Sequence, residues 1–278
     1  LLTGESGTGK EVFANFIYQN SGRVGRPFIK INCAAIPENL LESELFGYEP
    51  GAFTGASKKG KTGLFEMANT GTLFLDEIGN LSNKTQMLLL RALQEKRCRP
   101  VGSTKEYSFD IRLVSATNEK LEKAIEEGRF REDLFHRLNE FTLRIPTLAE
   151  CREDILPLAD FFLKLTCAKA RKSFRGFDRL AQAALLEYPW PGNIRELKNV
   201  IGRAVLICQQ EWISVSDLNL DISFQKEEKP LLAEEEKERT LLLQTLEKVD
   251  GNRSKAARLL NISRTTLYEK LKKYHITD

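Results

Sequence analysis

The segment Gly4-Glu5-Ser6-Gly7-Thr8-Gly9-Lys10 lies between an apolar strand fragment, Leu1-Leu2, and a helical pattern over 12–18, and this setting restricts the fold more than any other stretch. Glycines at positions 4, 7 and 9 free the backbone to turn its N–H groups onto phosphate oxygens. The helix N-terminus adds positive potential, and the Lys10 ammonium can reach terminal phosphates. A glycine-rich turn with no ligand is the bland alternative, and the strand-loop-helix context speaks against it. Glu11 departs from the general pattern, because a Ser or Thr hydroxyl usually stands there to bind magnesium.

A loop of this type needs a parallel sheet behind it. β-rich runs over 28–31, 72–75, 111–114 and 141–143 alternate with helical patterns over 12–18, 85–93 and 121–127. Such alternation predicts an α/β domain, a parallel sheet with helices on both faces and ligands at the carboxyl ends of its strands. After Pro146 the strand pattern stops, and helical patterns over 155–165, 180–186 and 194–208 predict a small helical subdomain. The stretch 221–230 is charged and aperiodic, as a linker is. Beyond it come a helix carrying Leu242, Leu243, Leu246 and Val249 and a turn at Asp250-Gly251. The predicted division is 1–146, 147–220, a linker 221–233, and 234–278.

Leu73-Phe74-Leu75-Asp76-Glu77 reads as a buried strand ending in two carboxylates. Asp76 can hold Mg²⁺ directly or through water, and Glu77 can orient and deprotonate an attacking water. Alone, such an end is more often a simple loop start; downstream of a phosphate loop it points to hydrolysis. Asn32 and the pair Thr117-Asn118 end the neighbouring strands, on the same sheet edge as Asp76. Local turn hydrogen bonds are their alternative use. Arg131 and Arg137 bracket a charged helical segment, where surface ion pairs are the default. Arg195 follows Pro191-Gly192-Asn193, read as a helix N-cap, where a cation opposes the dipole unless an anion is near. Glu196 is one such anion, and a bound phosphate would be another.

Composition narrows the class. The 278 residues are 41% hydrophobic and 29% charged, which fits folded domains with cores of their own and excludes a disordered chain. The longest apolar runs, around Leu88, Leu89 and Leu90, are too short to cross a bilayer, so no membrane partner is expected. The first residues lack a secretory signal and run straight into a motif, so further chain is expected upstream. Cys33, Cys98, Cys151, Cys167 and Cys208 form no CxxC pair and have only His136 and His275 to join them. This argues against zinc and for small apolar thiols in a reducing cytoplasm.

Net charge is +3, yet residues 251–278 carry seven Lys/Arg against Glu269 and Asp278. Positive charge gathered at one end suits a nucleic-acid partner, a solvated basic tail being the alternative. Residues 252–260 read as a short helix, Asn261-Ile262-Ser263 as a turn and 264–274 as a second helix, which is helix-turn-helix geometry. Ala256, Ala257, Leu260, Ile262, Leu267 and Leu271 form its predicted core. Ser263, Arg264, Thr266 and Lys270 are left to face the major groove, and Lys272 and Lys273 suit phosphate contacts.

With these motifs in order, and with Gly51-Ala52-Phe53-Thr54-Gly55-Ala56 between the loop and the Asp-Glu strand end, the chain resembles the NtrC-like sigma-54 enhancer-binding activators. The hexapeptide is highly specific, and the resemblance runs through GESGTGKE, FGYEPGAFTGA, GTLFLDEIG, FREDLFHRL and WPGNIRELKN to a Fis-type helix-turn-helix. It implies an AAA+ fold with a helical lid, ATP and Mg²⁺ as cofactors, and Glu11 as the usual residue after the loop lysine. By resemblance, Lys10, Asp76 and Glu77 carry binding and hydrolysis, Asn32 is the switch partner of Glu77, and Thr117-Asn118 senses the γ-phosphate. Arg131 and Arg137 resemble arginine fingers, which imply a homo-oligomer, from a dimer to a hexameric ring; Arg195 resembles a second sensor. Gly51 and Gly55 allow sharp turns that carry Phe53 and Thr54 at a loop tip, and by similarity that loop grips sigma-54 in the RNA polymerase holoenzyme. Enhancer DNA is the other implied partner. The competing readings are an AAA+ remodelling ATPase and a DNA-binding regulator, neither acting on sigma-54.

Overall fold

Alternate side chains along Thr72–Asp76 pack on opposite sides of the sheet, so this strand lies between two cores. The computed structural model describes residues 1–53, 57, 59–220, 242, 245, 253–259, 266 and 270, and the chain divides into two units, Leu1–Asn219 and Leu220–Asp278.

In the first unit the strands are β1 (Leu2–Thr3), β2 (Phe28–Asn32), β3 (Gly47–Tyr48), β4 (Lys61–Thr62), β5 (Thr72–Asp76), β6 (Arg97–Cys98), β7 (Tyr107–Ser108), β8 (Arg112–Thr117), β9 (Leu143–Arg144), β10 (Gly176–Phe177) and β11 (Trp212–Ile213). Its helices are α1 (Lys10–Gln19), α2 (Glu38–Phe46), α3 (Leu64–Met67), α4 (Asn83–Glu95), α5 (Leu121–Glu126), α6 (Glu132–Leu138), α7 (Ile155–Ala170), α8 (Arg179–Glu187), α9 (Asn193–Ile207) and α10 (Val215–Leu218). Five strands form one sheet in the order β2-β5-β8-β1-β9, every pair parallel.

On one face, Leu73 and Leu75 join Ile31 in a core with Leu41 and Leu45 of α2, Leu89 of α4, Leu121 of α5 and Leu134 of α6. On the other, Phe74 packs with Leu2, Val114, Ala116 and Ile145 against Ala14 of α1. Helices therefore cover both faces, as the near-continuous apolar run of β5 requires of a parallel strand.

Beyond Pro146, α7 and α9 pack on each other, with α8 and α10 completing the lid. Trp190 is buried there, its Nε1 donating to the Leu185 carbonyl at 2.9 Å. The expectation that strands end at Pro146 does not hold, because β10 and β11 pair in parallel inside this lid. Two-residue strands carry no period from which a sequence reading could find them. The antiparallel pairs β3–β4 and β6–β7 escaped notice for the same reason.

In the second unit Arg253–Leu259 is helical, with Ala256 and Ala257 buried, and Leu242 and Thr245 are buried on helical backbone. Thr266 and Lys270 are helical and half-buried. Ser263, Arg264, Lys272 and Lys273 lie outside the described residues, as do the predicted turn and Leu260, Ile262, Leu267 and Leu271. Among the described residues no helix is long and apolar enough to cross a membrane.

All five cysteines are free, and their surroundings differ. Burial pushes the Cys33 thiol up to about 12 and Cys98 to about 11, and Cys208 is buried with its Sγ 3.6 Å from the carbonyls of Gln210 and Trp212. The thiolate is the reactive form. With DTNB under native conditions, Cys151 and Cys167 are expected to react first, and Cys33, Cys98 and Cys208 only on unfolding. Five equal rates, resolved by peptide mapping, would contradict this packing.

Candidate active site

Gly4 to Lys10 leave β1 and turn into α1, a path that needs left-handed backbone at Gly7 (φ 82°) and at Gly9 (φ 92°), the N-cap of α1. Thr8 is buried, and its hydroxyl donates to the Glu5 carbonyl at 2.9 Å. The Lys10 Nζ donates to the carbonyls of Gly4 (2.9 Å) and Glu5 (3.0 Å), which folds the side chain into its own loop. Burial lowers its pKa, partly offset by Glu77 and Asp76. Glu11 points elsewhere: its carboxylate accepts from Lys30 Nζ on β2 at 3.0 Å. Glu11 thus has an exposed ion-pair partner on the neighbouring strand.

The carboxyl ends of β2, β5 and β8 bring the expected strand-end residues to one edge, with Asn32 level with Asp76. Asp76 accepts the Glu77 N–H at 3.0 Å, and burial raises its carboxyl above the usual carboxylate value against the pull of that bond and of Lys10. Glu77 is raised by burial and then by Asp76, while Lys10 and the Asn118 backbone N–H act in the other direction. Its backbone is left-handed at φ 57°, an unfavourable conformation for a glutamate that re-aims the side chain after the strand. Thr117 is fully buried, with its carbonyl accepting the Gly4 N–H at 3.3 Å and its hydroxyl accepting the Glu119 N–H at 3.0 Å. Asn32 Oδ1 accepts the Ala34 N–H at 2.9 Å, so its side chain caps the following turn.

The lid reaches the same loop. Arg195 Nη1 donates to Ser6 Oγ at 3.0 Å, and its backbone N–H donates to the Gly7 carbonyl at 3.2 Å. The N-cap of α9 is Gly192, not the Asn193 side chain. Glu196 instead reaches back to accept the Gly192 N–H (2.8 Å) and the Tyr188 hydroxyl (3.0 Å). Glu196 thereby complements the helix dipole, and Arg195 is left to face the loop.

Arg131 and Arg137 are not gathered onto this loop in their own chain. Arg131 forks onto both oxygens of Asp133 at 3.0 and 2.6 Å, and Arg137 bonds Glu140 at 2.9 Å and the Leu93 carbonyl at 3.4 Å. Both side chains keep about two-fifths of their surface exposed.

Two features were missed by sequence reasoning. A cavity of about 370 Å³ opens beside Thr8, walled by Phe13, Ile145, Pro146, Leu148 and Ile194. Its walls come from three separate stretches, 8–13, 145–158 and 194, so no local pattern announces it. Second, the arm of Gly51, Ala52 and Phe53 is braced by a strap from another part of the chain. Glu49 N–H donates to the Val101 carbonyl at 3.0 Å, Val101 N–H donates to the Gly47 carbonyl at 2.9 Å, and Gly102 packs on Ala52. Phe53 remains 37% exposed, its ring edge-on to Tyr48 at 5.0 Å. Thr54, Gly55 and Ala56 lie outside the described residues.

A family described as the sigma-54 interaction domain matches residues 1–144, an AAA+ ATPase lid domain matches 149–235, and a bacterial regulatory protein family of Fis type matches 235–274. The transcriptional regulatory protein ZraR of Salmonella typhimurium is 47% identical over 98% of this chain and 62% of its own length. The regulatory protein AtoC of Escherichia coli is 46% identical over 99% of this chain and 62% of its own. Crystal structures of NtrX from Brucella abortus superpose at 34% identity, with a TM-score of 0.75 for the ADP complex and 0.71 for the ATP complex. Each match covers 98% of this chain, with 63% and 62% of NtrX respectively. The chain thus spans about three-fifths of the length of these relatives.

Proposed function

The chain belongs to the sigma-54 interaction family of transcriptional regulators, and from that premise we propose that it binds enhancer DNA and uses ATP hydrolysis in an oligomeric ring to remodel the closed polymerase promoter complex. One observation carries the enzymatic part: the Asp76 and Glu77 carboxylates at the end of β5 lie within electrostatic reach of both the Lys10 ammonium and the Arg195 guanidinium, which itself bonds Ser6 of the loop.

ATP fits the site in three parts. Backbone N–H groups of Glu5 to Gly9, the start of α1 and Lys10 take the phosphates. The apolar cavity beside Thr8 is within the size range of ligand sites and takes the base. Among the described residues no three His, Cys, Asp or Glu side chains cluster to hold a metal. Mg²⁺ binds through one or two carboxylates and the nucleotide's own phosphates, and Asp76 is its protein ligand in this reading. Bound there, Mg²⁺ would neutralise charge on the phosphates. Glu77 takes the proton of the attacking water, its raised pKa bringing it nearer the operating pH.

Asn32 acts as the switch partner of Glu77, and Thr117-Asn118 reads the terminal phosphate. The N–H that Asn118 already gives Glu77 supports a link between sensor and base. Arg131 and Arg137 exchange their surface partners for the phosphates of a neighbouring subunit's ATP, and Arg195 reports nucleotide state to the lid. Motion reaches sigma-54 through Gly51-Ala52-Phe53-Thr54-Gly55-Ala56. Ser263, Arg264, Thr266, Lys270, Lys272 and Lys273 serve DNA binding in the C-terminal module, 234–278, joined by the linker 221–233 to the ATPase core 1–146 and lid 147–220. The cytoplasm, where polymerase works, is the proposed compartment.

The test is a separation of functions. Phe53→Ala removes an exposed ring whose neighbour is Tyr48, so ATP turnover is expected to stay within about twofold of the parent. Sigma-54-dependent open-complex formation, read by strand-specific footprinting, is expected to be lost. Unchanged open-complex formation would remove sigma-54 as the target.

A further inference from the structure

A buried carboxamide is costly unless both its ends are bonded, so where it spends its bonds is informative. Asn193 is 1% exposed. Its Oδ1 accepts the Leu148 N–H at 2.8 Å, and its Nδ2 donates to the Ser6 carbonyl at 3.1 Å and to Glu5 Oε2 at 3.3 Å. One side chain therefore joins the crossover into the lid, the phosphate loop and the first turn of α9. At the head of α9 Glu196 holds the Gly192 N–H and no side chain caps the helix, so the amide is spent on the loop and the crossover and not on a cap. The backbone of Asn193 is left-handed at φ 52°, which asparagine tolerates better than most residues.

The Ser6 carbonyl that Nδ2 holds shares a rigid peptide plane with the Gly7 N–H, which points the opposite way. The next carbonyl, Gly7, is held by the Arg195 N–H, and its plane carries the Thr8 N–H. Two successive loop peptides are thus gripped by their oxygens from α9, and the N–H groups at their far ends are aimed as a pair. We infer that Asn193 is a positioning residue: it sets the Ser6–Gly7 peptide so that the Gly7 N–H meets phosphate, and ties that setting to the lid through Leu148. This rests on the reading of the loop as an ATP site.

The lid has buried apolar residues of its own, Ala181, Leu185, Trp190, Leu197, Val200 and Ile201, so it is expected to fold without this amide. In the full chain, Asn193→Gly keeps the left-handed backbone and removes the grip. Its ADP affinity by calorimetry, and its KM for ATP, are expected to worsen about tenfold, the size of the one lost bond that acts on the phosphate-facing peptide, Nδ2 to the Ser6 carbonyl. Its kcat is expected to stay within about threefold, since both ground and transition states lose the same contact. Asn193→Asp keeps the acceptor for Leu148 but loses the donor and puts a carboxylate beside Glu5. Its affinity is expected to fall further and to recover as pH falls through the carboxylate range, because a protonated acid donates again. Asn193→Gly lacks that pH response. The inference is overturned if Asn193→Gly binds ADP within about twofold of the parent, or if the Asn193→Asp deficit has no pH component. A parent chain that fails to bind ADP would instead sink the ATP-site reading, and this inference with it.

Discussion

Replacing Glu77 with glutamine is expected to slow ATP turnover by about 10²–10⁴-fold, the usual worth of a positioned general base, while ATP still binds. Phosphate release with a parallel nucleotide titration measures both, and a variant that turns over ATP at the parent rate would remove Glu77 from the chemistry. The same substitution carries a second, opposite consequence. Burial and then Asp76 hold Glu77 above its ordinary carboxylate value in the folded chain. A group whose pKa is raised by folding stabilises the fold fully only below its unfolded pKa, and that contribution is lost as pH rises through the folded value. At neutral pH the ionised Glu77 is therefore a cost to the nucleotide-free fold, and Glu77→Gln is expected to raise its melting temperature. The gain should vanish as pH falls below the ordinary carboxylate range, where both side chains are neutral.

The parallel sheet was legible because its strands obey a rule visible in one dimension. Each is a short apolar run, and those of β2, β5 and β8 end in a polar residue beside a turn. The loop was legible because glycine spacing, lysine and helix onset are all local. What stayed hidden depends on partners distant in sequence. Glu11 could not be explained without Lys30, which only the packing of β2 beside α1 brings to it. Asn193 was read as part of a cap because a Gly-Asn pair before a helix has that local meaning. Its actual bonds reach back to Ser6 and Glu5, more than 180 residues away. Paired strands of two residues left no periodic trace. The candidate site residues were visible by type; the contacts that orient them were not.

Gly7 and Gly9 give that contrast a physical test, because both have left-handed backbone but different neighbours. A Cβ on Gly9 would meet only Ile194 Cδ1 at 3.8 Å and Val12 Cγ2 at 4.0 Å, ordinary contacts. Gly9→Ala therefore carries backbone strain alone, about 1–2 kcal/mol. A Cβ on Gly7 would sit 2.3 Å from the Gly192 carbonyl oxygen and 3.2 Å from Arg195 Cβ, so the loop and the lid turn cannot both hold their places. Gly7→Ala adds an overpacking cost of about 1–3 kcal/mol to the same strain. The cheapest relief is for the lid to lift, since its own core does not involve this contact. The Arg195 N–H, bonded to the Gly7 carbonyl at 3.2 Å, is then expected to exchange with deuterium about five- to hundredfold faster than in Gly9→Ala. Amides inside the lid core, such as those of Val200 and Ile201, should exchange at equal rates in the two variants. Because Arg195 loses its seat on Ser6, turnover in Gly7→Ala is expected to fall at least about tenfold below that of Gly9→Ala. Equal exchange at Arg195 in both variants would mean that the lid does not rest on the loop, and the route from nucleotide to lid would have to run elsewhere.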